Sequence, residues 1–170
     1  MLVARAQLDF IKTIVAQFER PSNMMQPIIV FQSQYIAIIT LLRSVGHVFE
    51  KVDCDTPERK TWGRIKWSEW QKVPIFQNFI EPKRNDLLKE FRGGLELSNV
   101  AFDPPAVMFD HSMPDMVSIV TAMDARSLKN AEGRLVMPDI HEAIAFWNLC
   151  LRDAEAAFQE PPHQTLSAPP

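Results

Sequence analysis

The chain has 170 residues and a formal net charge of −3, and 46% of its residues are hydrophobic while 23% are charged. These values are typical of one globular domain, and they exclude a collagen-like, a largely disordered or a uniformly basic chain. The two cysteines form no zinc-type pattern, so we expect a reduced, cytoplasmic protein. Neither a signal peptide nor a membrane-spanning segment is predicted, because Gln32, Ser33 and Gln34 interrupt the most apolar stretch.

The first half of the chain predicts two helices joined near Pro21. The first covers residues 2–19 and is expected to bury one stripe of side chains: Leu2, Ala6, Phe10 and Ile14. The second covers about 27–52 and is apolar on nearly all sides from Tyr35 to Leu42, which is typical of a central, buried helix. The polar residues of "DCDTPERK" then predict a connection.

The second half predicts two further helices and a small β element. A helix over about 75–92, bent near Pro82, is followed by short extended stretches that predict two or three strands between 104 and 137. The last helix covers about 138–158, with Asp139 as its N-cap. Its expected buried stripe is Ile140, Ile144, Trp147 and Leu151.

These elements predict a mainly α protein, a helical bundle with a small β element inserted before the last helix. Residues 1–158 are expected to form a single helical domain, and the proline-rich residues 159–170 a disordered tail.

Basic residues are concentrated in one segment, since nine Lys and Arg against five acids lie between Pro57 and Arg92. This concentration predicts a local positive patch. Three tryptophans interleave with these cations: Trp62, Trp67 and Trp70. Such a pattern can present stacking surfaces to single-stranded nucleic acid, or it can anchor the segment to the bundle, and we favour anchoring. Arg64 and Lys66 remain candidate nucleic-acid contacts.

Three segments together resemble the HEPN superfamily of helical domains: "QYIAIITLLRSVGHVFEKVD", "FIEPKRNDLLKEF" and "DIHEAIAFWNLCLRDAE". The resemblance covers roughly residues 28–155. Many members of that superfamily are metal-independent ribonucleases or toxins, and others are non-catalytic modules that bind RNA or protein partners. The resemblance therefore implies a helical bundle, and it implies either of these two functions.

The catalytic HEPN motif joins an Arg and a polar residue to a later His, and Arg84-Asn85 matches its beginning. Lys89 stands among the positions where the His is expected, and lysine is a poor general base because its pKa is ordinarily about 10.4. His47 on the central helix is the candidate for a substitute imidazole, although such a residue is more often a partly buried structural group. Arg84 can equally be a surface residue that pairs with Glu81.

The missing His favours a non-catalytic HEPN-like module that acts by self-association and by binding RNA or a protein partner. The alternative is an endoribonuclease with a composite site that includes Arg84, Asn85 and either Lys89 or His47. No cofactor or metal site is predicted, because the acids and the histidine of "DHSMPD" form an incomplete ligand set.

The assembly expected from the resemblance is a homodimer. Its interface would lie at or beside the helix over 80–92, with Arg84 close to its counterpart in the second copy. Leu87, Leu88 and Phe91 would supply the apolar contact.

Overall fold

The computed structural model describes residues 1–20, 28–89 and 134–159. Those residues form five helices: α1 (Val3–Phe18), α2 (Ile28–Val48), α3 (Pro57–Trp70), α4 (Glu81–Lys89) and α5 (Met137–Gln159). Two π-helical turns, Phe49–Asp53 and Phe76–Ile80, extend α2 and precede α4. The prediction of a mainly helical fold is confirmed. The predicted β element falls mostly on residues outside the described ranges. Within the described ranges, the β structure is limited to an isolated bridge at Leu135. The predicted tail also lies outside them, apart from Gln159.

The central position predicted for α2 is confirmed, because α2 contacts α1, α4 and α5. It contributes five buried side chains to the core: Tyr35, Ile38, Ile39, Leu42 and Val45. Together with the π turn that follows it, α2 occupies nearly the whole of the predicted range 27–52. No helix in the described ranges is long and apolar enough to cross a bilayer.

The stripe predicted for α1 is largely on the wrong face: Leu2 and Ile14 are partly buried against the core, but Ala6 is exposed. The buried residues are Ala4, Leu8, Ile11, Val15 and Phe18, whereas Phe10 is 57% exposed. Both sets have roughly helical spacing, but the observed one runs straighter along the helix axis toward α2 and α5, because its members alternate between intervals of three and four residues.

The N-terminus of α1 is capped by a distant residue, since Leu2 provides no side-chain cap. Asp53 accepts hydrogen bonds from the backbone N–H groups of Val3 (2.7 Å) and Ala4 (2.9 Å). Each carboxylate oxygen thus has a hydrogen-bond donor, as a carboxylate needs in a residue that is only 7% exposed. Asp53 belongs to the π turn that ends α2, so these hydrogen bonds fasten the end of α2 to the start of α1, 50 residues away along the chain.

Helix α3 begins inside the segment that was expected to be a connection. The Thr56 hydroxyl accepts a hydrogen bond from the Arg59 N–H (3.3 Å), and Pro57 occupies the first helical position. Both are ordinary signals of a helix N-terminus. The prediction was wrong because the mixed composition of α3 lacks a clear apolar stripe.

The helix predicted over 75–92 is present up to Lys89, the last described residue of that segment. The π turn Phe76–Ile80 lies directly before Pro82, the predicted bend, where a proline cannot donate the usual helical hydrogen bond. Helix α5 starts at Met137, so Asp139 lies in its first turn and is not the N-cap. A carboxylate there still interacts favourably with the helix dipole.

A candidate anion site at the junction of α2, α3 and α4

Arg43 lies where α2, α3 and the second π turn meet. Its guanidinium carbon is 5.3 Å from the ring centroid of Trp67 and 5.3 Å from that of Phe76. Its side chain is only 12% exposed, and its nearest carboxylate is that of Glu81, with Nη2 and Oε1 3.8 Å apart. The two aromatic rings therefore hold a cation that water reaches poorly.

The charge of Arg43 is incompletely balanced. Its Nη1 atom is buried and has no hydrogen-bond acceptor among the described residues. Burial lowers the pKa of Arg43, with Arg84 acting in the same direction and Glu81 and Glu50 against it. Since a buried charge without full compensation is costly, this position favours an additional anion.

His47 follows one turn later on α2, with its ring centroid 6.4 Å from that of Trp67. Its pKa is lowered first by burial and then by Arg43, while Glu50 raises it and Arg84 and Lys51 lower it further. The imidazole is therefore mainly neutral at pH 7. Only part of its surface is buried: the residue is exposed on α2, so a ligand can reach the imidazole.

Arg84 and Asn85 lie on α4 beside this cluster and are both partly buried. Arg84 Nη1 donates a hydrogen bond to Asn85 Oδ1 (3.0 Å). The expected pair of Arg84 with Glu81 is not the contact formed, because the Glu81 carboxylate is directed to Arg43. We call Arg43, His47, Arg84 and Asn85 the Arg43 site.

A second cationic feature adjoins the Arg43 site on the other side of Trp67. It is a groove of about 370 Å³ between the first π turn and α3, which we call the α3 groove. Its lining residues are Glu50, Lys51, Cys54, Lys60, Gly63, Arg64 and Trp67. Three cations thus face one carboxylate in a concave surface, and Arg64 is the predicted nucleic-acid residue that lies there.

The other two predicted nucleic-acid residues lie elsewhere. Lys66 Nζ is 3.0 Å from Glu69 Oε2 and 5.9 Å from the ring centroid of Trp62. Its pKa is raised mainly by Glu69, and Asp153 of α5 contributes, so Lys66 faces the α5 side of α3. Lys89 is exposed at the end of α4.

The tryptophans are anchors, as favoured from the sequence. Trp70 is 5% exposed, and Trp67 stacks on Trp147 with the ring centroids 6.3 Å apart and the planes inclined by 16°. The stacking is possible because Gly46 of α2 has no side chain, since an added Cβ would overlap the Trp67 ring. One face of Trp67 packs on Trp147, and Arg43 lies over the ring, so this indole is not an open stacking platform.

The described residues contain no group of three His, Cys, Asp or Glu side chains that could hold a metal ion. The residues of "DHSMPD" lie outside the described ranges. Both cysteines are buried and free, and burial, followed by Asp53, raises the pKa of Cys54 to about 11. Burial thus keeps the Cys54 thiol protonated and unreactive at pH 7.

Sequence reasoning brought together Arg84, Asn85 and His47 as a candidate composite site, and all three belong to the Arg43 site. It missed Arg43, a largely buried cation whose charge is incompletely balanced. The available signal was an arginine between Leu42 and Val45, both of which are buried in the core. A cation in such a position requires either a partner or a ligand.

The Arg43 site can bind a phosphate group, since it combines two guanidinium groups with a neutral imidazole able to accept a proton. Comparisons with protein-family models, with curated proteins and with solved structures give no match to this chain.

Proposed function

We propose that the protein is a helical module that binds RNA by holding its phosphate groups at the Arg43 site, without cleaving the strand. The observation that carries this proposal is the largely buried, incompletely balanced guanidinium of Arg43 beside Arg84 and His47. A phosphate group held by Arg84 would add the negative charge that this guanidinium lacks. The resemblance to HEPN domains, some of which are non-catalytic RNA-binding modules, supports the same function.

The test is fluorescence anisotropy with a labelled single-stranded RNA of about twelve nucleotides. Arg84→Glu should weaken binding at least about tenfold, because it replaces a phosphate-binding cation by a repelling carboxylate. Lys66→Glu is the matched control, since Lys66 is a cation that faces away from the site, and it should change the affinity less than about twofold. Equal affinities of the wild type and Arg84→Glu would contradict the proposal.

Self-association is the second part of the proposal, and its support is the exposed Leu88 on α4. Leu88 is 51% exposed, whereas Leu87 is buried in the core of its own chain. Leu87 is therefore not available for the predicted interface, and Phe91 lies outside the described residues. We propose a two-fold pair centred on Leu88, with the two Arg84 residues close together. Light scattering should give twice the 19.5 kDa chain mass, and Leu88→Asp should restore the monomer.

Endoribonuclease activity is the second candidate function, and the position of His47 favours it. A neutral imidazole can take the proton from a ribose 2′-hydroxyl as that oxygen attacks the adjacent phosphorus. Arg84 would then stabilise the negative charge of the transition state, and the 5′-oxygen would leave with a proton taken from water, so that a 2′,3′-cyclic phosphate remains. Lys89 is not needed in this scheme, and it is exposed at the end of α4.

Incubation of RNA with the protein in a chelating buffer distinguishes the two functions. The non-catalytic module binds RNA but leaves it intact. The ribonuclease cleaves it, and both His47→Gln and Arg84→Ala abolish the cleavage while the fold is retained. Arg43→Lys serves as an additional control, because it keeps the charge but removes the planar group between the two aromatic rings.

A further inference from the structure

The α3 groove has no role in the function proposed so far, yet it is a concave and strongly cationic part of the described surface. Its volume of about 370 Å³ is within the usual range for ligand sites, roughly 300–1,000 Å³. Lys51 forms an ion pair with Glu50, in which Nζ and Oε1 are 3.3 Å apart. Neither Lys60 nor Arg64 has an ion-pair partner among the described residues.

Lys60 and Arg64 are four residues apart on α3, so their side chains lie on the same face of the helix, one turn apart. Two like charges in this arrangement repel each other, and both residues are exposed. An anion between them would remove the repulsion. The pattern is thus that of a phosphate contact rather than of a solvated surface with mixed charges.

The groove has firm walls. Gly63 lies against Cys54, since a Cβ added to Gly63 would be 2.6 Å from the Cys54 sulfur. Helix α3 therefore lies so close to the residue that follows the first π turn that position 63 has no room for a side chain. The backbone segments that hold the cationic residues of the groove are thus fixed in place, even though the cationic side chains themselves are flexible.

The groove and the Arg43 site are neighbours. Trp67 lines the groove and also contacts Arg43 and His47. Lys51 lines the groove and is close enough to lower the pKa of His47. A ligand with regularly spaced phosphates can therefore contact both features over the edge of Trp67.

We propose that the α3 groove is a second phosphate subsite for the same RNA strand, which crosses from Arg84 over the edge of Trp67 to Lys60 and Arg64. This proposal rests on the proposed function. The bound form is a single strand, because a groove of this size admits one nucleotide unit but not a paired helix. Recognition is by the backbone and is independent of base sequence, since Trp67 is covered by Trp147 and Arg43 and offers no open face for base stacking.

The experiment measures the affinity of the full chain for oligouridylates of increasing length, together with a duplex of the longest one. Wild-type affinity should rise with length as the second subsite fills, and the single strand should bind more tightly than the duplex. The double variant Lys60→Glu/Arg64→Glu should lose the gain with length but keep the affinity for the shortest oligomers. Its dependence on salt should also weaken, the slope of log K against log[salt] falling by about 1.4 for two lost phosphate contacts.

Lys66→Glu is the control on the same helix and should retain both the length dependence and the salt slope. Circular dichroism of each variant checks that the fold is kept, which the exposure of Lys60 and Arg64 leads us to expect. Uridine monophosphate is the competitor that tests for a small-molecule site. Competition as effective as that of the longest oligomer would mean that the groove binds free nucleotides, and it would overturn the proposal of a continuous strand.

The remaining outcomes separate the two proposals. If RNA binding depends on Arg84 but not on Lys60 and Arg64, only the second subsite is wrong. Equal binding of duplex and single strand would also overturn the second subsite alone. If no RNA binds, or if Arg84→Glu binds normally, the proposed function is wrong and the second subsite falls with it.

Discussion

Arg5 of α1 and Arg43 of α2 have equally buried side chains, each 12% exposed, but opposite surroundings. Arg5 forms a bidentate pair with Glu155, with both N–O distances 2.9 Å, and its remaining nitrogen donates to Asn148. Arg43 has one carboxylate at 3.8 Å and an unpartnered Nη1. The pKa of Arg5 is raised, mainly by its hydrogen bond to Glu155, whereas burial lowers that of Arg43.

The difference separates two uses of a buried cation. The Arg5 guanidinium joins α1 to α5 and has its donors matched, so it is explained by the fold alone. Arg43 keeps an unmatched donor and an incompletely balanced charge within the described fold, as expected of the ligand site proposed above. Four predictions follow from this comparison.

Replacing each arginine by methionine should affect the free energy of unfolding very differently. Arg5→Met leaves Glu155 and Asn148 without their donor and should cost about 2 kcal/mol. Arg43→Met removes an incompletely balanced charge and keeps the apolar contact with Trp67 and Phe76. It should leave the stability unchanged within about 0.5 kcal/mol or increase it. Urea unfolding followed by circular dichroism measures both values, and a large loss in Arg43→Met would show that Arg43 is structural.

The effects of the same two substitutions on RNA affinity should be reversed: the one at Arg43 should weaken binding more than the one at Arg5. Arg43→Met should weaken binding about tenfold, or about 1.4 kcal/mol, because the site loses one of its two guanidinium groups. Arg5→Met, measured at a temperature where it is folded, should bind as the wild type does. An equal loss of RNA affinity in both variants would indicate that binding depends on the stability of the fold in general. It would remove the distinction between a structural Arg5 and a ligand-binding Arg43.

Gly46→Ala changes the packing beside Arg43, through Trp67 and Trp147, while both arginines keep their side chains. The added methyl group would overlap the Trp67 ring and would lie 2.8 Å from a ring carbon of Trp147. Overpacking of this kind costs about 1–3 kcal/mol, and the better helix propensity of alanine offsets up to about 1 kcal/mol. We expect a net loss of about 1 kcal/mol in unfolding free energy together with weaker RNA binding. The Arg5 contacts should be unaffected, which the chemical shift of its Nε–H would report.

Sequence reasoning located the elements better than it located the contacts between them. Helix α2 and helix α5 were predicted nearly to their ends, because long apolar runs bounded by proline and by charged residues specify helices locally. The buried face of α1 was largely wrong, since both stripes have roughly helical spacing and only the neighbouring helices decide which one is covered. The capping of α1 by Asp53, far away in the sequence, was likewise not visible from local pattern.

The candidate site shows the same division. Arg84-Asn85 and His47 were identifiable from a motif and from a titratable residue on an otherwise apolar helix. Arg43 was not, because its unusual state depends on Trp67, Phe76 and Glu81, which reach it only through the packing of α3 and α4 onto α2. No local pattern at Arg43 indicates that its carboxylate partner lies 3.8 Å away instead of at hydrogen-bonding distance.

The smallest expected effect is a dependence of RNA affinity on pH, which Arg43 imposes on its neighbour His47. In the free protein the pKa of His47 lies below its usual value of 6.5, because burial, Arg43, Arg84 and Lys51 outweigh Glu50. A bound phosphate adds negative charge beside the ring, so the pKa of His47 is higher in the complex than in the free protein.

Binding therefore takes up protons between these two pKa values, and affinity should rise as the pH falls from about 7.5 toward 5.5. The expected gain is modest, about threefold, because the exposed side of the ring is already solvated. His47→Gln should remove the gain and leave the affinity at pH 7.5 nearly unchanged, because the wild-type imidazole is neutral there. Arg5→Met should keep the full pH dependence. Two results would contradict this prediction: an RNA affinity of the wild type that does not depend on pH, or a rise in affinity at low pH that His47→Gln leaves unaltered. Either would show that the phosphate does not lie beside His47. The RNA strand would then have to pass from Arg84 over Trp67 without contacting His47.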